Sequence, residues 1–254
     1  MFPPRLPCSS GRAALALLAL GTACLLALGC RSAERLHERE KEGIELFSQG
    51  RMARAEQVLR DVFEADPGRY QAARLLALIY ERAGQTARAL EVLERLVAAR
   101  PDLGLGLMEL ADLYQRLRLF DRALPLYEKA GATFGYPLAY VRIAAIYRAR
   151  GEDGRAERAL LTALRLQPTH PEARYDLATL YESRGLHEAA RTQWEAFVAV
   201  AHRDPQRARQ VAFARRRLLE LGARLATEDA RALIASARRL LRPPAAGRLA
   251  PEDA

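Results

Sequence analysis

Between Tyr70 and Pro101 the apolar positions recur with the period of an α-helix, twice over. Leu76, Ala77 and Tyr80 fall on one stripe, and Ala89, Leu93 and Leu96 fall on a second. Gly84 predicts the end of the first helix, because glycine enters the left-handed C-cap conformation without a Cβ penalty. Pro101 predicts the end of the second, because proline has no N–H to continue the ladder. A helix pair this short cannot bury its own apolar face and needs copies of itself on either side.

The chain supplies those copies. Equivalent units begin at Leu36, Tyr70, Gly104, Pro137 and Pro171. A small residue recurs in each first helix (Gly43, Ala77, Ala111, Ala144, Ala178), and a bulky one follows three positions later (Leu46, Tyr80, Tyr114, Tyr147, Tyr181). Turn glycines stand at Gly50, Gly84, Gly151 and Gly185, whereas the third unit has Arg118 there. Each second helix carries alanine at its small position (Ala55, Ala89, Ala123, Ala156, Ala190), and four residues on come Leu59, Leu93, Tyr127, Leu160 and Trp194. Pro67, Pro101 and Pro168 close units one, two and four, and the third has Gly135 instead. Small residues let helices approach closely, and the large ones fill the space between pairs, so these tyrosines and the tryptophan read as core.

This period and pattern resemble the tetratricopeptide repeat (TPR) family. The resemblance implies an all-α fold, a right-handed superhelical solenoid of about five helix pairs over residues 36–202, held by nearest-neighbour contacts and requiring capped ends. Residues 203–242 are expected to add a C-terminal pair, either a cap or a degenerate sixth repeat. Its helices would run over 206–222 and from Ala230 to Leu241, the second capped by Thr227 with Glu228 and Asp229 in its first turn. Residues 243–254 are expected to be disordered.

In this family a protein partner lies along the outward residues of the first helices. By resemblance those are Arg74, Leu78 and Glu81, then Met108, Asp112 and Gln115, then Val141, Ala145 and Arg148, then Tyr175, Thr179 and Glu182. The chain contains no asparagine, so the lysine and asparagine clamp by which some members hold a peptide carboxylate is absent. Leu78, Met108, Val141 and Tyr175 suit an extended or helical apolar segment.

The N-terminus has a different pattern. Arg5 and Arg12 precede an apolar run from Ala13 to Leu28, too short to cross a bilayer as a helix, and the run ends Leu26-Ala27-Leu28-Gly29-Cys30. This resembles a bacterial lipobox, although Ala27 stands where leucine is preferred. It implies a signal peptide over 1–29, a lipidated Cys30 and a short tether over 30–35. Cys24 is the alternative lipidation site, and an ordinary cleaved signal or an uncleaved anchor is the alternative reading. Several acyl chains on one cysteine make a firm tether. Arg31, where an inner-membrane retention signal would have aspartate, points to the outer membrane and its periplasmic face.

Charge refines this picture only at the C-terminal end. The formal net charge is +9, yet residues 203–242 hold 11 arginines against 4 acids, while 30–202 is nearly balanced. Arginines that simply solvate a capping pair are the first reading of that end; anionic lipid or an acidic partner comes next, ahead of nucleic acid, which an exported protein seldom meets. The only cysteines, Cys8, Cys24 and Cys30, lie near the N-terminus, so a disulfide framework or cysteine metal site is not expected. His37, His170, His187 and His202 are scattered, and no phosphate loop, nucleophile elbow or metalloprotease motif is present. No enzymatic activity, cofactor or metal is expected. Size, lipobox and repeat count resemble the type IV pilus pilotin lipoproteins, which escort secretin subunits. A cell-wall-associated lipoprotein that recruits a peptidoglycan enzyme, and an inner-membrane adaptor, are the alternatives.

Overall fold

The computed structural model describes residues 32–240, and these contain helices and turns but no strand. The expected signal peptide, Cys30 and tail lie outside the described residues. We number the helices α1 (32–48), α2 (Met52–Ala65), α3 (Tyr70–Arg82), α4 (Thr86–Ala99), α5 (Gly104–Arg116) and α6 (Phe120–Phe134). They continue as α7 (Pro137–Ala149), α8 (Asp153–Leu166), α9 (Pro171–Ser183), α10 (His187–Ala201) and α11 (Ala208–Leu240). The chain divides between Leu126 and Tyr127 into two compact units.

In the first unit the small positions are where helix backbones meet. Ala55 and Ala89 are fully buried, as are their partners Leu59 and Leu93. A Cβ on Gly43 would lie 2.6 Å from the Leu59 side chain, so glycine admits the closest of these approaches. Glu40 makes a long-range cap. Its carboxylate accepts the Ala72 N–H at 3.2 Å, in the first turn of α3, and accepts from Arg69 at 3.2 Å. A side chain of α1 thus satisfies an orphan donor of α3, whose own N-cap residue Arg69 makes no side-chain cap.

The turn inside each pair repeats one geometry. At Gly84 the φ is +72°, Gly84 N–H donates to Glu81 and Gln85 N–H reaches back to Tyr80 at 2.8 Å. Arg118 does the same work in the third pair. It holds φ +59°, and Leu119 N–H reaches Tyr114 at 2.9 Å. The left-handed conformation costs a residue with a Cβ about 1–2 kcal/mol, so the packing of the pair dictates the turn even where the residue resists it.

In the second unit α10 packs between α9 and α11. The core joins Trp194, Phe197 and Ala201 of α10 to Val211, Ala214 and Leu221 of α11, with Tyr175 and Phe213 against them. Gly131 of α6 is buried, and a Cβ there would lie 2.7 Å from the Tyr140 ring of α7, an approach the repeat pattern did not single out.

Two expectations are corrected. The C-terminal pair is one continuous helix of 33 residues, α11. Thr227 does not cap a new helix; its hydroxyl donates to the Arg224 carbonyl one turn back, a bond made within a helix. Gly222 is exposed in the helix interior, where it lowers helix propensity but imposes no break, and no proline lies between 208 and 240. Likewise residues 32–35, expected to be tether, are already helical.

His170 caps α9. Its buried Nδ1 accepts the Ala173 N–H at 3.3 Å, which requires the neutral ring. Burial pushes the His170 pKa down, Glu172 pulls it up and Arg207 again pulls it down, for a net lowering. In the unfolded chain the ring titrates near 6.5. Below that pH the unfolded state takes up the proton first, so stability falls as the solution is acidified and is unaffected by this ring above it. We expect His170→Asn, which keeps a capping acceptor, to flatten the dependence of the urea midpoint between pH 7 and about pH 5.5. An unchanged slope would show that this ring is not its source.

Candidate binding faces

The outward positions of the first helices lie in both units. In the first, Arg74, Leu78, Glu81, Asp112 and Gln115 are half-buried. Glu81 accepts from Arg116 through both carboxylate oxygens at 2.8 Å, which ties α3 to α5. Met108, expected on the open face, is buried at 7% exposure. In the second unit Val141 is also buried, at 3%, while Ala145 and Thr179 are half-buried and Arg148 is exposed. Arg148 donates to the Thr179 hydroxyl at 3.2 Å, and that hydroxyl donates to the Asp176 carbonyl.

Tyr175 and Glu182 belong to the interior of the second unit as much as to its face. The Tyr175 ring lies edge-on to Trp194 at 5.0 Å and to Phe197 at 5.4 Å. Glu182 accepts from Trp194 Nε1 at 2.6 Å and from Arg217 Nη2 at 2.6 Å. Of the four apolar positions expected to be open, Leu78 alone remains half-exposed without an internal aromatic partner, so the faces are more polar than the sequence pattern implied.

The sequence pattern overlooked two features. Asp176 sits half-buried beside the expected positions, where burial pushes its carboxyl pKa up against the pull of Arg148 and Arg142. Arg142 occupies the same register one repeat earlier, and that opposite pair is the signal in the sequence. The tyrosines read as core also carry a polar arrangement. Arg88 lies over Tyr80 at 5.8 Å and Arg122 over Tyr114 at 5.7 Å in the first unit; Arg155 lies over Tyr147 at 5.6 Å in the second. Each arginine follows its tyrosine by eight residues. The Tyr114 hydroxyl donates to Glu94, and the Tyr181 hydroxyl donates to Glu157 at 3.0 Å. Burial and that bond push Tyr181 up to about 12. Among the described residues no grouping of His, Cys, Asp and Glu could hold a metal ion, and no helix is long and apolar enough to cross a membrane.

Models of the tetratricopeptide repeat match residues 46–111, 107–133 with 139–172, and 159–192, together more than half of the chain. The chain belongs to the tetratricopeptide repeat family. Solved structures share its fold. A thermophilic TPR protein of Thermus thermophilus is 26% identical, with a TM-score of 0.53 over 70% of this chain and 98% of that one. The pilF structure of Pseudomonas aeruginosa gives 0.58 at 17% identity, over 76% of this chain and 90% of that one. MamA gives 0.55 at 20% identity, over 65% and 96%. No curated protein sequence matches significantly. The TPR fold is one that suits protein partners.

Proposed function

We propose that this TPR chain is tethered by lipid on Cys30 to the periplasmic face of the outer membrane, where it assists assembly of an envelope complex. The observation that carries the reading is the order of its parts: a basic start, a short apolar run and Gly29-Cys30, followed at once by a polar stretch and the repeats. Its most specific form is a pilotin-like role in which the partner is a secretin subunit, and the fold shared with pilF of P. aeruginosa supports that form. Because Met108 is buried, the partner segment we infer for the face of the first unit is amphipathic, pairing its polar side with Arg74, Asp112 and Gln115 and its apolar side with Leu78.

The test is the mature N-terminus. Intact-mass analysis of membrane-extracted protein should show a chain beginning at Cys30 and carrying diacylglycerol, and Cys30→Ser should leave the unprocessed precursor. A mature chain that retains Met1, or a Cys30→Ser protein with unchanged processing, removes the tether. In the Cys30→Ser strain, secretin should accumulate as monomers, and normal multimers would exclude the pilotin form.

A further inference from the structure

The long helix α11 leaves the core partway along its length. Val211, Ala214 and Leu221 are buried against α10, but from Gly222 to Ala232 every residue is exposed except the half-buried Leu225. The helix carries eight arginines and three acids. At about 100° per residue, Arg209, Arg216, Arg217, Arg224 and Arg231 fall within an arc of about 100°. In the sequence, the seven-residue spacing of Arg217, Arg224 and Arg231 continues to Arg238. Seven residues advance a helix by about 10.5 Å, so the cations form a line rather than a cluster. Arg217 is taken by Glu182 and Glu220, and Glu228 contacts His187 at 3.1 Å, so two of the three acids are engaged locally. Arg209, Arg216, Arg224 and Arg231 are exposed.

We propose that this arginine line docks on an anionic phospholipid surface. A membrane presents phosphates in any register along a straight helix, which suits evenly spaced guanidinium forks. An acidic protein patch would need matching spacing. Single-stranded nucleic acid would call for aromatic platforms, and no aromatic residue follows Phe213 in the chain. Away from that line lie Leu219, 78% exposed, with Arg215 one turn before it, then Ala226 and Ala230. That apolar arc is too slight for deep burial, so the contact is with head groups. The docking does not depend on lipid at Cys30.

The full chain is reconstituted into vesicles of phosphatidylcholine alone, or of phosphatidylcholine mixed with phosphatidylglycerol, and amide hydrogen exchange is followed. Residues 222–240 should exchange at least about tenfold more slowly on the anionic vesicles, and about 0.5 M salt should abolish the difference. The triple variant Arg216→Gln, Arg224→Gln, Arg231→Gln should abolish it too, at about fivefold per arginine. Exchange in α9 and α10 serves as the fold control, and Cys30→Ser should leave the difference intact. Equal exchange on both vesicles, or slowing that survives the triple variant, overturns the proposal.

Discussion

Replacing Trp194 with alanine should lower the stability of the second unit by about 3–5 kcal/mol. The side chain is fully buried and meets three other rings: Tyr175 at 5.0 Å, Phe213 at 5.8 Å and Phe197 at 6.1 Å, all edge-on. Such pairs contribute about 0.5–1.5 kcal/mol each beyond their buried area. Its Nε1–H also gives Glu182 a neutral donor at 2.6 Å, which alanine withdraws. Because repeats are held by nearest neighbours, the loss should concentrate in α9, α10 and the first turns of α11. Hydrogen exchange should show those helices opening first, and the urea midpoint of the second unit should fall. Trp194→Phe, which keeps a ring in the cluster, should cost less than half as much. A midpoint unchanged in Trp194→Ala would mean that this cluster is not what holds α11 in place.

What the sequence made legible was what recurs. The five small positions of each helix type are buried, and the turn glycines take positive φ where the pattern placed them. Recurrence works as a signal because each pair must present the same surface to the next. Features that occur once were not legible. Thr227-Glu228-Asp229 has the composition of a helix start, yet no proline interrupts 208–240 and Gly222 imposes no break, so the helix runs through. Met108 and Val141 sit at outward positions by register, yet burial depends on what neighbouring helices cover, which periodicity within one helix does not report. Glu40 capping α3 across a gap of 32 residues leaves no local trace at all. The tyrosine and arginine pairs eight residues apart were legible in principle, because they recur, but a core reading of tyrosine hides its polar end.

Arg217→Ala should cost about 2 kcal/mol and loosen α11 without unfolding α7 or α8. Arg217 reaches Glu182 through Nε at 3.0 Å and through Nη2 at 2.6 Å, and it also pairs with Glu220 of its own helix. Glu182 is only 15% exposed, so its carboxylate cannot regain full hydration once the guanidinium is gone, though Trp194 still donates to it. The pair is not fully buried, since Arg217 is 25% exposed, which is why the cost is set below that of breaking an ion pair in a dry core. The arginines beside it in the chain supply the control. Arg216 is exposed, and Arg216→Ala should change stability by no more than about 0.5 kcal/mol. Glu182→Gln combined with Arg217→Gln restores neutral partners at the same site, and the double variant should be less destabilised than the sum of the singles by about 1 kcal/mol. Additive losses would mean that Arg217 acts through packing alone. Since Val211 and Leu221 still anchor α11, its distal exchange on anionic vesicles should survive Arg217→Ala, which separates the arginine that fastens the helix from those that line its exposed side.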